Sequence, residues 1–376
     1  MHADIIVIGA GTVGAAIAYG LARRQRTVVV LDGGDTDFRA AGANFGLVWV
    51  QGKGPDLPPY QTLSRTSADL WPEFARELTG EAPVEAKVAL EYEKRGGFAF
   101  CFGEAEFEKR RAMLTKLHVD CGSNDDDFDM MERAELERLM PGVVFGPDVT
   151  GASFGRHDGH VNPLRLLRAL HAGILRHGGT LLRDHAVTGI RSAAFGFEVE
   201  AAGTIFDADR LVLAAGLGTA ALAARMGMHV PVRPQRGQIL VTERVAPFFP
   251  YPANGIRQTR DGTVLLGTSN EEVGFDTSAT ATIGTKIARG ALHVSPALAR
   301  LRIVRQWAGL RVMTPDSYPI YIQSNEFPGA FVAVCHSGVT LAAFHATVLA
   351  EAIAAGMLPA WLSPFHPGRF DVPKAA

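Results

Sequence analysis

Cysteine is scarce in this chain, with three in 376 residues, at Cys101, Cys121 and Cys335, and no Cys-x-x-Cys pair. That excludes a four-thiolate cluster or a disulfide framework built from this chain, and it points to a reducing compartment, the cytoplasm. An iron–sulfur centre used with this chain would have to sit on another subunit. Net charge is nearly absent as well: −2, from 37 basic and 39 acidic residues, makes no electrostatic case for nucleic acid or an anionic membrane. A transmembrane segment is not expected. The uncharged run from Ile5 to Leu21 is slightly short for a span, has no basic stretch before it and is broken by Gly9, Gly11 and Gly14. Metal ligands are equally sparse, since Arg156-His157-Asp158-Gly159-His160 has no third ligand at turn or helical spacing and reads as a surface loop.

What is present is the composition of a soluble globular enzyme, 47% hydrophobic and 20% charged, on a chain long enough for two domains. Its most informative pattern comes first. Ile5-Ile6-Val7-Ile8 reads as a buried strand running into Gly9-Ala10-Gly11-Thr12-Val13-Gly14; an Ala-rich helix follows to Arg24, and a second apolar run, 27–31, ends at Asp32. Gly9 permits the tight turn, Gly11 lets backbone approach a pyrophosphate, and Gly14 lets the helix pack on the strand. The helix N-terminus offers unpaired N–H groups to phosphates, and Asp32 can accept hydrogen bonds from a ribose. A dinucleotide site is expected, with NAD and FAD both open at this point.

Further along, 33–59 is a Gly- and Pro-rich stretch too long for a passive loop. An amphipathic helix over 61–78 is expected through Leu63, Leu70, Trp71, Phe74 and Leu78, and Asp125-Asp126-Asp127 reads as a solvated loop. Asn162-Pro163 has the form of an N-cap and first helical residue. Three short strands, 187–191, 197–201 and 204–206, precede a return strand from Arg210 to Gly216, whose small-residue end lets backbone approach a ligand. A β-rich stretch over 230–266, a helix over 282–293, a strand over 330–334 and a long apolar helix over 340–355 complete the order. The fold class expected is α/β, α+β overall: a discontinuous Rossmann-like dinucleotide domain (1–79, 142–224 and 305–376) with an inserted mixed β-sheet substrate domain (80–141 and 225–304).

Three separated signatures then coincide: the opening motif with Asp32, the strand end at 212–216, and Ala308-Gly309-Leu310-Arg311 followed by His336-Ser337-Gly338. Together they make nearly the whole chain resemble the D-amino-acid-oxidase-like flavoproteins, the group of glycine oxidase, sarcosine oxidase and D-amino-acid dehydrogenases. The stretch from Asn44 to Gly54, Arg257-Gln258-Thr259, and the ending Pro364-Phe365-His366-Pro367-Gly368-Arg369-Phe370 look most like the flavin subunits of opine oxidases, D-hydroxyproline dehydrogenases and bacterial hydrogen cyanide synthases. The resemblance implies FAD rather than NAD, held noncovalently. It also implies work beside a second flavoprotein and an iron–sulfur subunit, or in a homo-oligomer. By the same resemblance, FAD is contacted by Gly9, Gly11, Thr12, Val13, Gly14, Asp32, Gly33, Arg39, Ala41, Asn44, Phe45, Gly46, Leu47, Val187, Ala214, Ala215, Gly216, Ser337, Gly338, Val339 and Thr340.

The reaction so implied is hydride transfer from the carbon beside an amine to flavin N5, leaving an imine, on a secondary, cyclic or D-amino acid or an opine. Arg311 matches the family's carboxylate anchor, a fork that Lys cannot reproduce; the other reading is an Arg paired to an internal acid. His336 is expected at substrate or flavin, or else as a structural imidazole. Ser337 is expected to cap a helix beginning at Gly338, whose dipole would stabilise negative charge on the reduced ring. Arg257 can bind a second carboxylate or serve as a surface or flavin-loop Arg. Leu265 stands where sarcosine oxidases carry an oxygen-promoting Lys, which leans towards a dehydrogenase. Gly255-Ile256-Arg257 at the place of a substrate-facing Tyr argues against glycine as substrate. An NAD-dependent dehydrogenase and a non-catalytic flavin-binding electron-transfer subunit are the competing readings.

Overall fold

A computed structural model describes residues 2–34, 40–80, 89–122 and 127–371. The opening apolar run forms strand β1 (His2–Ile8), the glycine-rich turn leads into helix α1 (Thr12–Arg23), and the next apolar run is strand β2 (Val28–Leu31). These belong to the largest sheet, eight strands among the described residues, whose main path runs Ile320–Gln323, Ala330–Val334, Thr204–Leu213, β1, β2, Thr180–Leu182. The four strands from Ala330–Val334 to β2 and the edge strand Thr180–Leu182 pair in parallel. Such strands are buried on both faces, and Ile5, Ile6 and Val7 are wholly so.

α1 covers one face of this sheet and is itself covered. Its residues from Gly14 to Ala22 are all buried, which is why Ala and Gly dominate it. A Cβ on Gly20 would lie 2.0 Å from the Ala346 carbonyl oxygen, so α1 and the last helical segment touch backbone to backbone. The helix Pro163–Arg176 packs on α1 as well, its N-terminus capped by Asn162, whose side chain accepts from the N–H groups of Leu164 and Arg165.

A second sheet runs Ile256–Gln258, Thr263–Gly267, Arg233–Arg244, Ile303–Met313, all antiparallel, with the helix Ala281–Val294 packed against it. A third joins Gly97–Phe102, Val149–Gly155 and Phe128–Glu132. Domain boundaries drawn at 142 and 305 cut through these sheets: Val149–Gly155 pairs with strands before 142, and Ile303–Met313 pairs along its length with Arg233–Arg244.

Two local expectations are corrected. The strands expected at 204–206 and 210–216 are one continuous strand, Thr204–Leu213, because a single register carries it from the antiparallel insertion into the parallel sheet. The long helix expected from Thr340 starts later and is irregular: Ala342–Phe344, a π-turn at His345–Leu349, then Ala350–Ala355. Its beginning is held open by the helix Pro58–Thr79. Ser67 Oγ and Trp71 Nε1 both donate to the Thr340 carbonyl, at 2.7 and 3.0 Å, and Ser67 Oγ accepts from the Phe344 N–H at 3.1 Å.

Candidate functional site

The carboxyl end of β1 meets α1 in a cradle of bare backbone. Gly9 has φ +104°, and a Cβ on it would sit 2.5 Å from the Ala214 carbonyl oxygen; one on Gly14 would sit 2.0 Å from the Gly9 oxygen. Gly11 is different: the nearest atom to a Cβ there is Ala41 Cβ at 3.9 Å, so the backbone lies open. No side chain caps α1, which leaves the N–H groups of Thr12 and Val13 for an outside acceptor. Asp32 accepts from the N–H of Ala10 at 2.7 Å and of Gly34 at 3.0 Å, one on each oxygen, and each oxygen retains a lone pair. His185 N–H donates to the Asp32 carbonyl at 2.8 Å, which lays the 184–187 segment, with Val187, against Gly33. Ala215 and Gly216, with φ +58° at Gly216, turn the return strand away just beyond Ala214. Open N–H groups, a helix dipole and a carboxylate are what the ADP half of a dinucleotide requires, so the residues fit that group. Arg39 lies outside the described residues.

Beside this cradle is an open cleft enclosing about 1100 Å³, solvent-filled space included. Six segments wall it: Ala40 to Lys53, the paired strand stretches Gly237 to Ile239 and Gly309 to Arg311, the turns at Asn254–Gly255 and Thr268–Asn270, and His336 to Thr340. Asn44, Phe45, Leu47, Arg311, His336, Ser337, Val339 and Thr340 all line it. Gly46, with φ +87°, turns the chain behind them, and its N–H donates to Asn44 Oδ1 at 2.7 Å. Gly338 joins cleft and cradle, since a Cβ there would lie 3.2 Å from Val13 Cγ2. The N–H groups of Gly338, Val339 and Thr340 have no acceptor among the described residues.

Arg311 stands on the strand Ile303–Met313, opposite Gln235. Its guanidinium lies across Gly237, where a Cβ would come within 2.5 Å of Nη2, so glycine there makes the pose possible. Nη1 donates to the Ser269 carbonyl at 2.7 Å and to Asn270 Oδ1 at 3.0 Å. Nε and Nη2 have no partner among the described residues, and Arg311 lines the cleft. Arg311 has no ion-pair partner among the described residues: the acid whose charge acts on it, Glu271, is bound by Arg236 at 2.7 Å. Burial lowers the Arg311 pKa from the usual guanidinium value.

Lys53 is the second cation on the cleft, and it was not among the expected site residues. Its Nζ donates to Ser337 Oγ at 2.6 Å, and Tyr60 Oη donates to the same oxygen at 2.8 Å. Ser337 is therefore not a helix cap but a double acceptor, with the N-cap falling at Leu341. Burial first, then the charges of Lys53 and Arg311, push the His336 pKa down to about 3, so the imidazole is neutral at neutral pH. No acid lines the cleft among the described residues, and two cations do. The arrangement selects an anion. The only sequence signal for Lys53 was its place in Gln51-Gly52-Lys53-Gly54, inside the overlong loop.

Arg257 does not line this cleft. It is 2% exposed, its Nη1 lies 3.3 Å from His160 Nδ1, its Nε has no partner, and the ring of Phe45 covers its face with the centroid 5.9 Å away. Burial pushes its pKa down to about 10. It is a buried Arg beside the Phe45–Gly46 turn rather than a surface one. The segment expected as a surface loop, 156–160, is also largely interior, because Asp158 is wholly buried and its carboxylate accepts from the N–H groups of Val50 and Gln51 and from Gln51 Nε2, at 2.5, 3.2 and 2.6 Å. That holds the loop bearing Lys53. Burial raises the Asp158 pKa to about 7, against the pull of those hydrogen bonds. In the triplet expected as a solvated loop, Asp127 is ion-paired with Arg65, while Asp125 and Asp126 lie outside the described residues. No cluster of metal-ligating side chains occurs among the described residues.

A cradle for ADP beside an anion-selecting cleft suits more than one redox cofactor, and comparison with known proteins decides which. The family model of the FAD dependent oxidoreductases (DAO) matches residues 4–352. The chain belongs to that family. It is an FAD-dependent oxidoreductase, and the NAD-dependent reading is set aside. An opine oxidase subunit of Agrobacterium tumefaciens is 41% identical over 373 residues, covering 99% of each chain. The hydrogen cyanide synthase subunit HcnC of Pseudomonas protegens is 27% identical over 418 residues, covering 98% of this chain and 96% of that one. The fold matches the crystal structure of glycine oxidase from Geobacillus kaustophilus with a TM-score of 0.83 over 97% of this chain and 98% of the other, at 24% identity. The opine oxidase and hydrogen cyanide synthase relatives are both subunits by name. No helix among the described residues is long and apolar enough to cross a membrane.

Proposed function

We propose that this chain is the flavin-bearing subunit of an enzyme that oxidises the C–N bond of an N-substituted amino acid, an opine or a cyclic relative such as a D-proline-like compound. The observation that carries this reading is the open Nε and Nη2 edge of Arg311 on a cleft lined by two cations and no acid. A carboxylate on that edge gains two parallel charge-assisted bonds. FAD, when bound, supplies the hydride acceptor. Arg311 then fixes the carboxylate end of the substrate, and the carbon beside the amine is turned towards the His336 side of the cleft. Neutral His336 would offer an uncharged imidazole to the amine, and the free N–H groups of Gly338 to Thr340 would be donors for negative charge on the bound cofactor.

The thiol of Cys335 is buried in the core and pushed up to about 12, with burial as the main cause, which supports noncovalent cofactor. Leu265, packed with Phe45 and Ile239, brings no positive charge to the place where sarcosine oxidases carry a Lys, and this supports an electron acceptor other than oxygen. The likeness to two proteins that are subunits by name, together with three cysteines that cannot hold a cluster, supports a redox partner on another chain. We also propose a two-part division, with the largest sheet for FAD and the four-stranded and three-stranded sheets for substrate; moving the boundaries from 142 and 305 keeps each of these sheets whole.

Anaerobic mixing of the FAD-loaded protein with D-amino acids, D-hydroxyproline, sarcosine and opines tests the reading. Bleaching of the flavin by an N-substituted member is expected. Retention of full colour with every amine would leave only an electron-transfer role. Repetition with oxygen as sole acceptor should give slow turnover compared with an artificial dye.

A further inference from the structure

A second cavity lies behind the wall on which Arg311 is anchored. It encloses about 910 Å³, solvent-filled space included, and shares Asn254, Gly255, Thr268 and Asn270 with the cleft. The same short wall holds Arg311, through Ser269 and Asn270. A substrate whose carboxylate sits on Arg311 therefore starts at the boundary between the two spaces, and any longer substituent has the second one to enter.

We propose that this second cavity receives the extended arm of an N-substituted amino acid, and that Lys286 at its rim pairs with a carboxylate at the end of that arm. The proposal rests on the C–N oxidation reading and specifies its substrate. The floor suits a methylene chain: Ile283, Ile287, Ala291 and Val294 of the helix Ala281–Val294 face it, with Phe102 opposite. Space is reserved there as well, because Gly290 lines the cavity and a Cβ on it would meet nothing within 4 Å. Charge gives the arm its polarity. Glu271, the one acid on the cavity among the described residues, is bound by Arg236 at 2.7 Å, by Ser269 Oγ at 2.6 Å and by Gln238 Nε2 at 3.0 Å, so its charge is already compensated. Lys286 is exposed and has no ion-pair or hydrogen-bond partner among the described residues. The uncompensated charge offered to an incoming arm is therefore positive.

The test uses the FAD-loaded protein and three probes: sarcosine, N-hexylglycine and N-(carboxypentyl)glycine. Anaerobic flavin reduction should be fastest with the carboxypentyl compound. Gly290→Leu, which adds a side chain without a backbone clash, should slow both long substrates by at least about tenfold and leave sarcosine unchanged. Lys286→Met should slow only the carboxypentyl compound, by about fivefold, as expected of a partly exposed ion pair. Ratios among the three substrates that stay within about twofold of wild type in both variants would overturn the proposal. If none of the three reduces the wild-type flavin, the C–N oxidation reading is at fault, and the subsite is then decided by binding alone. In that case suberate should perturb the flavin spectrum about fivefold more weakly in Lys286→Met than in wild type, and equal perturbation overturns the subsite.

Discussion

The cradle at Gly9 to Asp32 and the cleft at Arg311 are adjacent, yet they are made in opposite ways. The cradle is backbone: glycines whose missing side chains let Ala214 and α1 close in, N–H groups left free, and one carboxylate 23 residues from the first glycine. The cleft is side chain, with Lys53, Arg311 and His336 brought from three segments of the chain onto one cavity. A site made of backbone tolerates almost no added atom. One made of side chains should lose function in graded steps, each set by the bond removed.

The largest effect should come from Gly14→Ala. With 2.0 Å to the Gly9 oxygen the added methyl forces strand and helix apart, at a cost of about 3 kcal/mol or more, and the purified protein should be colourless or insoluble. A yellow, folded variant would remove the contrast with the cleft. Next is Arg311→Ala. Two fork bonds at ~1.5 to 3 kcal/mol each put the loss at about 100-fold or more in kcat/KM with FAD still bound. Arg311→Lys should recover little of it, since the fork is lost. A near-wild-type kcat/KM on the best substrate would dismiss Arg311 as anchor.

Protons separate the regions too. His336 on the cleft, together with buried His160 and His345, has its pKa pushed down to about 3, whereas Asp158 is pushed up to about 7. Between about pH 6 and 4.5 the unfolded chain holds nearly three imidazole protons that the native state refuses, and the native state keeps one on Asp158 that the unfolded chain lacks. From these four groups the net is two protons, so unfolding free energy should fall by roughly 3 kcal/mol per pH unit on acidification. Urea denaturation at pH 6 and pH 5 measures it, and a flat result would mean that the imidazoles are more solvated than their burial implies. Lys53→Met should have the smallest effect, about tenfold in kcat/KM, from one charge-assisted bond to Ser337. An increase in KM with kcat preserved would mark Lys53 as an aid to binding only.

Much of the cradle was legible because its signals lie within a few residues of one another. Strand, glycines, helix and Asp32 are neighbours in sequence, and steric rules act at that range. Arg311 and His336 were reached only through resemblance to a family, since nothing near either residue announces the other. Lys53 was missed, and the segment around Asp158 was read as surface, for one reason: burial of a polar side chain depends on partners such as Val50 and Gln51, more than a hundred residues away. Of the roles open to Arg257, the surface one is removed by tertiary structure, because only the fold buries it against Phe45 and His160.

The sequence by itself determined the dinucleotide cradle, since strand, glycine turn, helix and Asp32 are neighbours and a Cβ at Gly14 would meet the Gly9 oxygen within the same turn. Tertiary structure alone decided which charges share the cleft. It set Lys53 on Ser337, left one edge of Arg311 open, buried Arg257, and opened a second cavity beyond Asn270. Those outcomes depend on the pairing of Ile303–Met313 with Arg233–Arg244 and on the hold of Asp158 over its loop, contacts whose long-range register no local pattern encodes.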